Sequence, residues 1–234
     1  RRAIGLPLVI IAIIFLLFSY FGRQMPELIS HAGLSLKRLV GYHWLGGEAI
    51  FGIPISVSVS FIFLFVLFGA ILDTAGGGKY FLNLAFALVG RMRGGPAKAA
   101  ILASGLTGMI SGSSVANTVT TGTFTIPIMK KTGLPAIKAG AVEVAASVNG
   151  QIMPPIMGAA AFVMAELLGI PYFTVVTHAF LPAVISYIAL FYISHLESLK
   201  LNIKGLPEKE VPNLKKTFFG GIHFLIPIFI LIYL

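Results

Sequence analysis

Residues 105–133 read GLTGMISGSSVANTVTTGTFTIPIMKKTG, and the reading of this stretch decides the fold. An apolar run at 97–110 leads into SGSSVANTVTTGT, and a second apolar piece follows to Met129. The flanks, GGPAK at 94–98 and KKTGLPAIK at 130–138, are both basic. Basic residues collect in the cytoplasmic loops of membrane proteins, so both flanks belong on one side. Neither apolar arm reaches across ~30 Å of hydrocarbon at ~1.5 Å per residue. The expectation is a re-entrant helical hairpin that enters from the cytoplasm, turns at 111–118 near mid-membrane and leaves again.

Working outward, 136–168 is apolar but interrupted by NGQIMPP at 149–155. Two prolines remove two backbone donors and push the preceding residues out of the helical region, and Gly150 loosens the chain further. One crossing made of two half-helices is expected. Apolar runs at 3–21, 50–72 and 171–193 are long enough to span, whereas 73–93 has only a short helical part and is expected at the interface. The segments are 1–49, a span and extracytoplasmic connector; 50–93, a span plus short helix; 94–133, the hairpin; 134–169, the broken helix; 170–199, a span; 200–218, a cytoplasmic linker; and 219–234, the start of another span. With Arg1-Arg2 inside, fourteen of the seventeen basic residues fall on the cytoplasmic side, leaving Arg23, Lys37 and Arg38 outside.

Composition agrees. Of 234 residues, 57% are hydrophobic and 11% charged, against ~25% charged in soluble domains. That excludes a soluble enzyme, and the lack of strand-like alternation excludes an outer-membrane barrel. The fold class is all-α, integral to the membrane and multispanning. The net charge of +9 records topology rather than nucleic-acid binding, and the absence of cysteine excludes thiol chemistry. The chain opens without Met and closes in an apolar run, so it is read as a segment of a longer protein.

Residues 111–125 carry eight hydroxyls and Asn117. Irregular backbone at membrane depth is tolerated only where protein buries it or a polar cavity adjoins it. Broken helices that meet at the midplane are how secondary transporters build sites, with freed carbonyls and hydroxyls coordinating Na⁺. A hydroxyl-rich tip opposite an Asn-Gly-Gln break is therefore read as a site rather than as hydroxyls that glue packed helices together.

GLTGMISGSSVANTVTTGTFTIPIMKKTG, followed by AGAVEVAASVNGQIMPPIMGAAAFVMAE at 139–166, resembles the large permease subunit of TRAP transporters, most closely the fused permeases of the TAXI branch. RGGPAKAA at 93–100 and IFGIPISVSVSFIFLFVLFGAIL at 50–72 fit the same pattern, so the resemblance covers roughly 40–200. It implies one half of an inverted-repeat elevator transporter in a bacterial or archaeal inner membrane. This would be a Na⁺-coupled importer of organic carboxylates, served by a periplasmic substrate-binding protein and a small permease subunit or its fused equivalent. By that resemblance Ser111, Gly112, Ser113, Ser114, Asn117 and Thr118 at the tip, with Asn149, Gly150 and Pro154 at the break, supply a Na⁺ site. Thr120 and Thr121 are weaker candidates for a substrate-facing wall.

Glu143 and Glu166 are the acids within the expected membrane segments. A proton carrier is one reading, but Glu143 stands close to Lys138 and Glu166 near an outer end, so both are left out of the site. Five scattered histidines without HExxH suggest no transition metal, and no other cofactor is expected beyond Na⁺ as coupling ion. Competing functions are a binding-protein-independent dicarboxylate or anion transporter, a channel, and an intramembrane serine protease using Ser114 with His178. GSSVA at 112–116 lacks the last glycine of a nucleophile elbow, and no enzyme is expected.

Overall fold

The computed structural model describes residues 6–233 except 48 and 50, and the regular structure among them is helical. Arg1 and Arg2, the two residues on which the inside assignment began, lie outside the described residues, as does Leu234. The chain divides into two compact units, one ending at Val57 and the other beginning at Ser58.

The first unit holds α1 (Leu6–Tyr20), α2 (Leu36–Val40) and α3 (Ile53–Val57). Between α1 and α2 the chain folds back on itself. His31 Nε2 lies 3.0 Å from the Phe18 carbonyl, and Arg23 Nε donates to Ala32 O at 2.8 Å.

The second unit contains α4 (Phe63–Thr74), α5 (Gly77–Val89), α6 (Gly95–Ser111), α7 (Ser114–Lys131), α8 (Ala136–Gly150), α9 (Ala159–Leu168), α10 (Tyr172–Lys200), α11 (Leu214–Gly220) and α12 (Ile226–Tyr233). Two helical stretches are long and apolar enough to cross a membrane, Ile55–Thr74 and Tyr172–Lys200, and most of their residues are unburied. α1 and α9 are apolar but shorter.

α6 is the central helix, flanked by α5, α7, α8 and α10. Its buried positions are mostly small: Ala97, Ala99, Ala100, Ala103, Gly105 and Gly108. Small residues let helix backbones approach closely where no hydrophobic force drives association. Along α10 the register is antiparallel at three points. A Cβ on Gly94 would meet Ser198, Lys98 contacts His195, and Gly105 lies under the Tyr187 ring.

α6 and α7 form the expected hairpin, with a tighter turn than 111–118. Gly112 ends α6 in the left-handed region at φ 62°, where glycine carries no Cβ penalty. Ser113 starts α7 by accepting the Ala116 N–H at 3.3 Å. Two residues suffice, so Ser114, Asn117 and Thr118 are helical rather than irregular. The break is likewise displaced. α8 continues through Asn149 and Gly150, and the interruption runs over 151–158. Pro154 has no N–H to offer the Gly150 carbonyl, which fixes Gly150 as the last helical residue.

α5 packs along α6, where Phe81, Leu84, Ala85 and Phe86 are buried. The linker does not extend to 218, because Asn213 caps a helix that runs to Gly220. α12 is a separate helix beyond the turn at Ile222–Phe224.

Candidate functional site

The hairpin tip meets the break. A Cβ on Gly112 would stand 3.1 Å from the Met157 carbonyl oxygen, and one on Gly158 would stand 3.4 Å from the Gly112 carbonyl oxygen. One turn down, α6 and α8 touch backbone to backbone at Gly108 and Gly150. Of the residues expected there, Gly112, Gly150 and Pro154 lie at this junction. Ser111 Oγ points at Ser113 O at 3.4 Å, and Ser113 is the α7 cap. Ser114, Thr118 and Asn149 are half-buried and make no side-chain hydrogen bond among the described residues.

Asn117 belongs to a different site. It is fully buried, and its amide nitrogen donates to the Ser104 carbonyl at 2.9 Å and Ser104 Oγ at 2.8 Å, with Ser147 Oγ at 3.2 Å. Its oxygen accepts from Thr107 Oγ1 at 2.6 Å. Both polar atoms of the side chain are thus engaged with α6 and α8.

At the centre of this second cluster is Glu143, wholly buried on α8. Thr121 Oγ1 and Ser104 Oγ contact Oε1, the latter at 3.1 Å, and Thr125 Oγ1 contacts Oε2 at 2.6 Å. Gly122 on α7 makes room for the side chain, since a Cβ there would be 3.2 Å from Glu143 Cγ. The Thr121 hydroxyl therefore faces the cluster, while the residue also borders the cavity that Thr120 lines. Glu143 does not meet Lys138: five positions on a helix is a rotation of about 140°, and Lys138 pairs with Glu197 on α10. The signal that would have found the cluster is helical spacing, with Thr121 and Thr125 on α7 and Glu143 and Ser147 on α8 each four apart.

Thr120 is exposed and borders a cavity of about 520 Å³ with Asp73, Lys79, Thr107 and Thr123. Pro154 and Pro155 border a larger apolar cavity of about 760 Å³ with Phe65, Tyr172 and Phe180. Glu166 is exposed near the end of α9, and His178 Nδ1 lies 2.7 Å from the Thr174 carbonyl. At the hairpin's feet, buried Lys98 donates to His195 Nδ1 at 3.0 Å and lies over the Phe191 ring. Arg91–Glu208 at 2.9 Å, Lys131–Glu210 at 4.0 Å and Lys138–Glu197 gather at the same end.

The family model for the DctM component of the tripartite ATP-independent periplasmic transporter matches residues 1–234. The chain belongs to the DctM family. Its members are membrane permeases of TRAP transporters, and the two apolar spans agree with that. The chain is 35% identical over 153 residues to the uncharacterized protein YgiK of Salmonella typhimurium, covering 65% of this chain and 32% of that protein. It is 36% identical over 91 residues to the C4-dicarboxylate TRAP transporter large permease protein DctM of Pseudomonas aeruginosa, covering 39% and 21%. It is 31% identical over 100 residues to the 2,3-diketo-L-gulonate TRAP transporter large permease protein YiaN of Escherichia coli, covering 43% and 24%. Each alignment spans a third or less of the relative's own length.

Proposed function

We propose that this DctM chain is part of a Na⁺-coupled inner-membrane permease that imports organic carboxylates by an elevator motion. In this reading a periplasmic binding protein delivers the substrate, a small subunit or fused equivalent completes the permease, and lipid surrounds α10. The observation that carries the reading is the junction of hairpin tip and helix break, with both hairpin feet at the opposite end. Extending the α6–α10 register brings Gly112 level with Phe180, about 12 Å at helical rise short of the start of α10. Re-entrance is supported by the hairpin arms, each shorter than ~30 Å at helical rise, with both basic flanks at one end.

The donor set at the tip fits Na⁺. Unwound carbonyls, hydroxyls and amides are the oxygens that coordinate it in broken-helix transporters. Gly112 and Met157 carbonyls, the Ser114 and Thr118 hydroxyls and the Asn149 amide would hold it, and the ion when bound would join the tip to the break.

The relatives named for C4-dicarboxylate and diketo-gulonate suggest small carboxylates as substrates. The test is uptake by the full permease in proteoliposomes with its binding protein and a radiolabelled C4-dicarboxylate. Saturable uptake that needs both an inward Na⁺ gradient and the binding protein is expected. Uptake indifferent to Na⁺, or ohmic conductance, would overturn the reading.

A further inference from the structure

The tip site makes no use of Glu143, the one acid buried among the described residues. No cation faces it there. On α6 the charged group is Lys98, which is held on His195, and Lys130 and Lys131 lie at the far end of α7. On α8 itself Lys138 pairs with Glu197, and from α10 the nearby titratable group is Tyr187, whose hydroxyl donates to Ala146 O at 2.8 Å. An ionised carboxylate buried without a counter-charge is costly.

The hydrogens can be counted. Thr121 Oγ1 lies between the Asn117 carbonyl, at 2.7 Å, and Glu143 Oε1. Thr125 Oγ1 lies between the Thr121 carbonyl, at 3.0 Å, and Oε2, at 2.6 Å. Ser104 Oγ lies between Oε1, at 3.1 Å, and Ser147 Oγ, at 2.9 Å. Six oxygen–oxygen contacts each call for a hydrogen, and the four hydroxyls carry one apiece. A carboxylate would add only acceptors, whereas a carboxylic acid adds the fifth hydrogen and leaves one three-centre bond. With the acid hydrogen on Oε2 donated to Thr125, that threonine is free to donate to its helix carbonyl.

We propose that Glu143 is a proton-binding site, and that the bound proton clamps α6 and α7 of the hairpin to α8. Losing it leaves an unpaired anion, and each threonine must then choose between its carbonyl and the carboxyl group. The hairpin's hold on α8 is present while the proton is bound and is lost as pH rises. Proton occupancy thereby becomes a control on hairpin movement, separate from the ion at the tip.

Infrared difference spectroscopy across a pH titration of the purified full-length permease reads the protonated-carboxyl band without requiring transport. The expected result is a band at neutral pH that disappears at alkaline pH and is absent from Glu143→Gln. That variant, a permanently neutral donor, should lose the fall in melting temperature that the wild type shows as pH rises from the free-carboxyl range to the pH at which the band disappears. Identical wild-type and variant spectra in the protonated-carboxyl region at neutral pH would overturn the proposal. So would a Glu143 carboxylate band that responds to Na⁺. Should Glu143→Gln fail to fold, Thr125→Val keeps the acid and removes its acceptor. The band should then shift to higher frequency, and an unshifted band overturns the assignment.

Discussion

A single carbon decides how α6 meets α8. A Cβ on Gly108 would stand 2.9 Å from Gly150 Cα, and one on Gly150 would stand 2.8 Å from Gly108 Cα. Backbone cannot swing aside as a side chain can, so either alanine forces the helices apart. Gly108→Ala and Gly150→Ala should each cost ~1–3 kcal/mol, read as a lower melting temperature in detergent. Gly140, also on α8, has open space where its Cβ would be, and Gly140→Ala should be neutral or stabilising, by up to ~1 kcal/mol through helix propensity. Equal losses at all three positions would refute the close contact. At this scale the sequence was legible in part. A hydroxyl-rich tip announces polar surroundings, but which hydroxyls face inward depends on rotation about the helix axis. That rotation engages the Asn117 amide and the Thr121 hydroxyl within the helix cluster and brings in Glu143.

Helices and breaks were legible because proline and glycine act locally. Pro154 and Pro155 predict an interruption from the donors they lack, and the structure moves its start only from 149 to 151. What holds the break in place comes from elsewhere in the chain. Phe162 on α9 stacks on Tyr172 of α10 at 4.3 Å and 5°, and on Phe65 of α4 at 5.0 Å. Tyr172 donates its hydroxyl to the Ile156 carbonyl inside the break. Tyr172→Phe keeps the stack and loses that bond, so a loss of ~1 kcal/mol is expected. Phe162→Ala removes the middle ring and should cost ~3 kcal/mol or more. Thermal denaturation of the two variants measures both. A Tyr172→Phe loss as large as that of Phe162→Ala would show that the hydroxyl, not the stack, holds the break.

The whole molecule sets the topology. The antiparallel α6–α7 hairpin puts both basic flanks at one end, where Arg91 pairs with Glu208, Lys131 with Glu210 and Lys138 with Glu197. No native cysteine interferes with labelling. Lys98 is buried at 2% exposure, so the informative positions are the exposed Met92 and Lys131 at the feet and Leu168 at the end of α9. Met92→Cys and Lys131→Cys should react with an impermeant thiol reagent from the cytoplasm alone, and Leu168→Cys from outside alone. Labelling of positions 92 and 131 from opposite faces would make the stretch between them a span. The sequence by itself determined the helical membrane class, the hairpin and the broken helix, because hydropathy, basic flanks and proline act through composition and local backbone chemistry. Only the tertiary structure decided that α5 lies along the hairpin, that Gly108 meets Gly150 and that Glu143 is enclosed by hydroxyls from three helices. Those facts depend on helix rotation and register, which arise from packing between segments far apart in the chain.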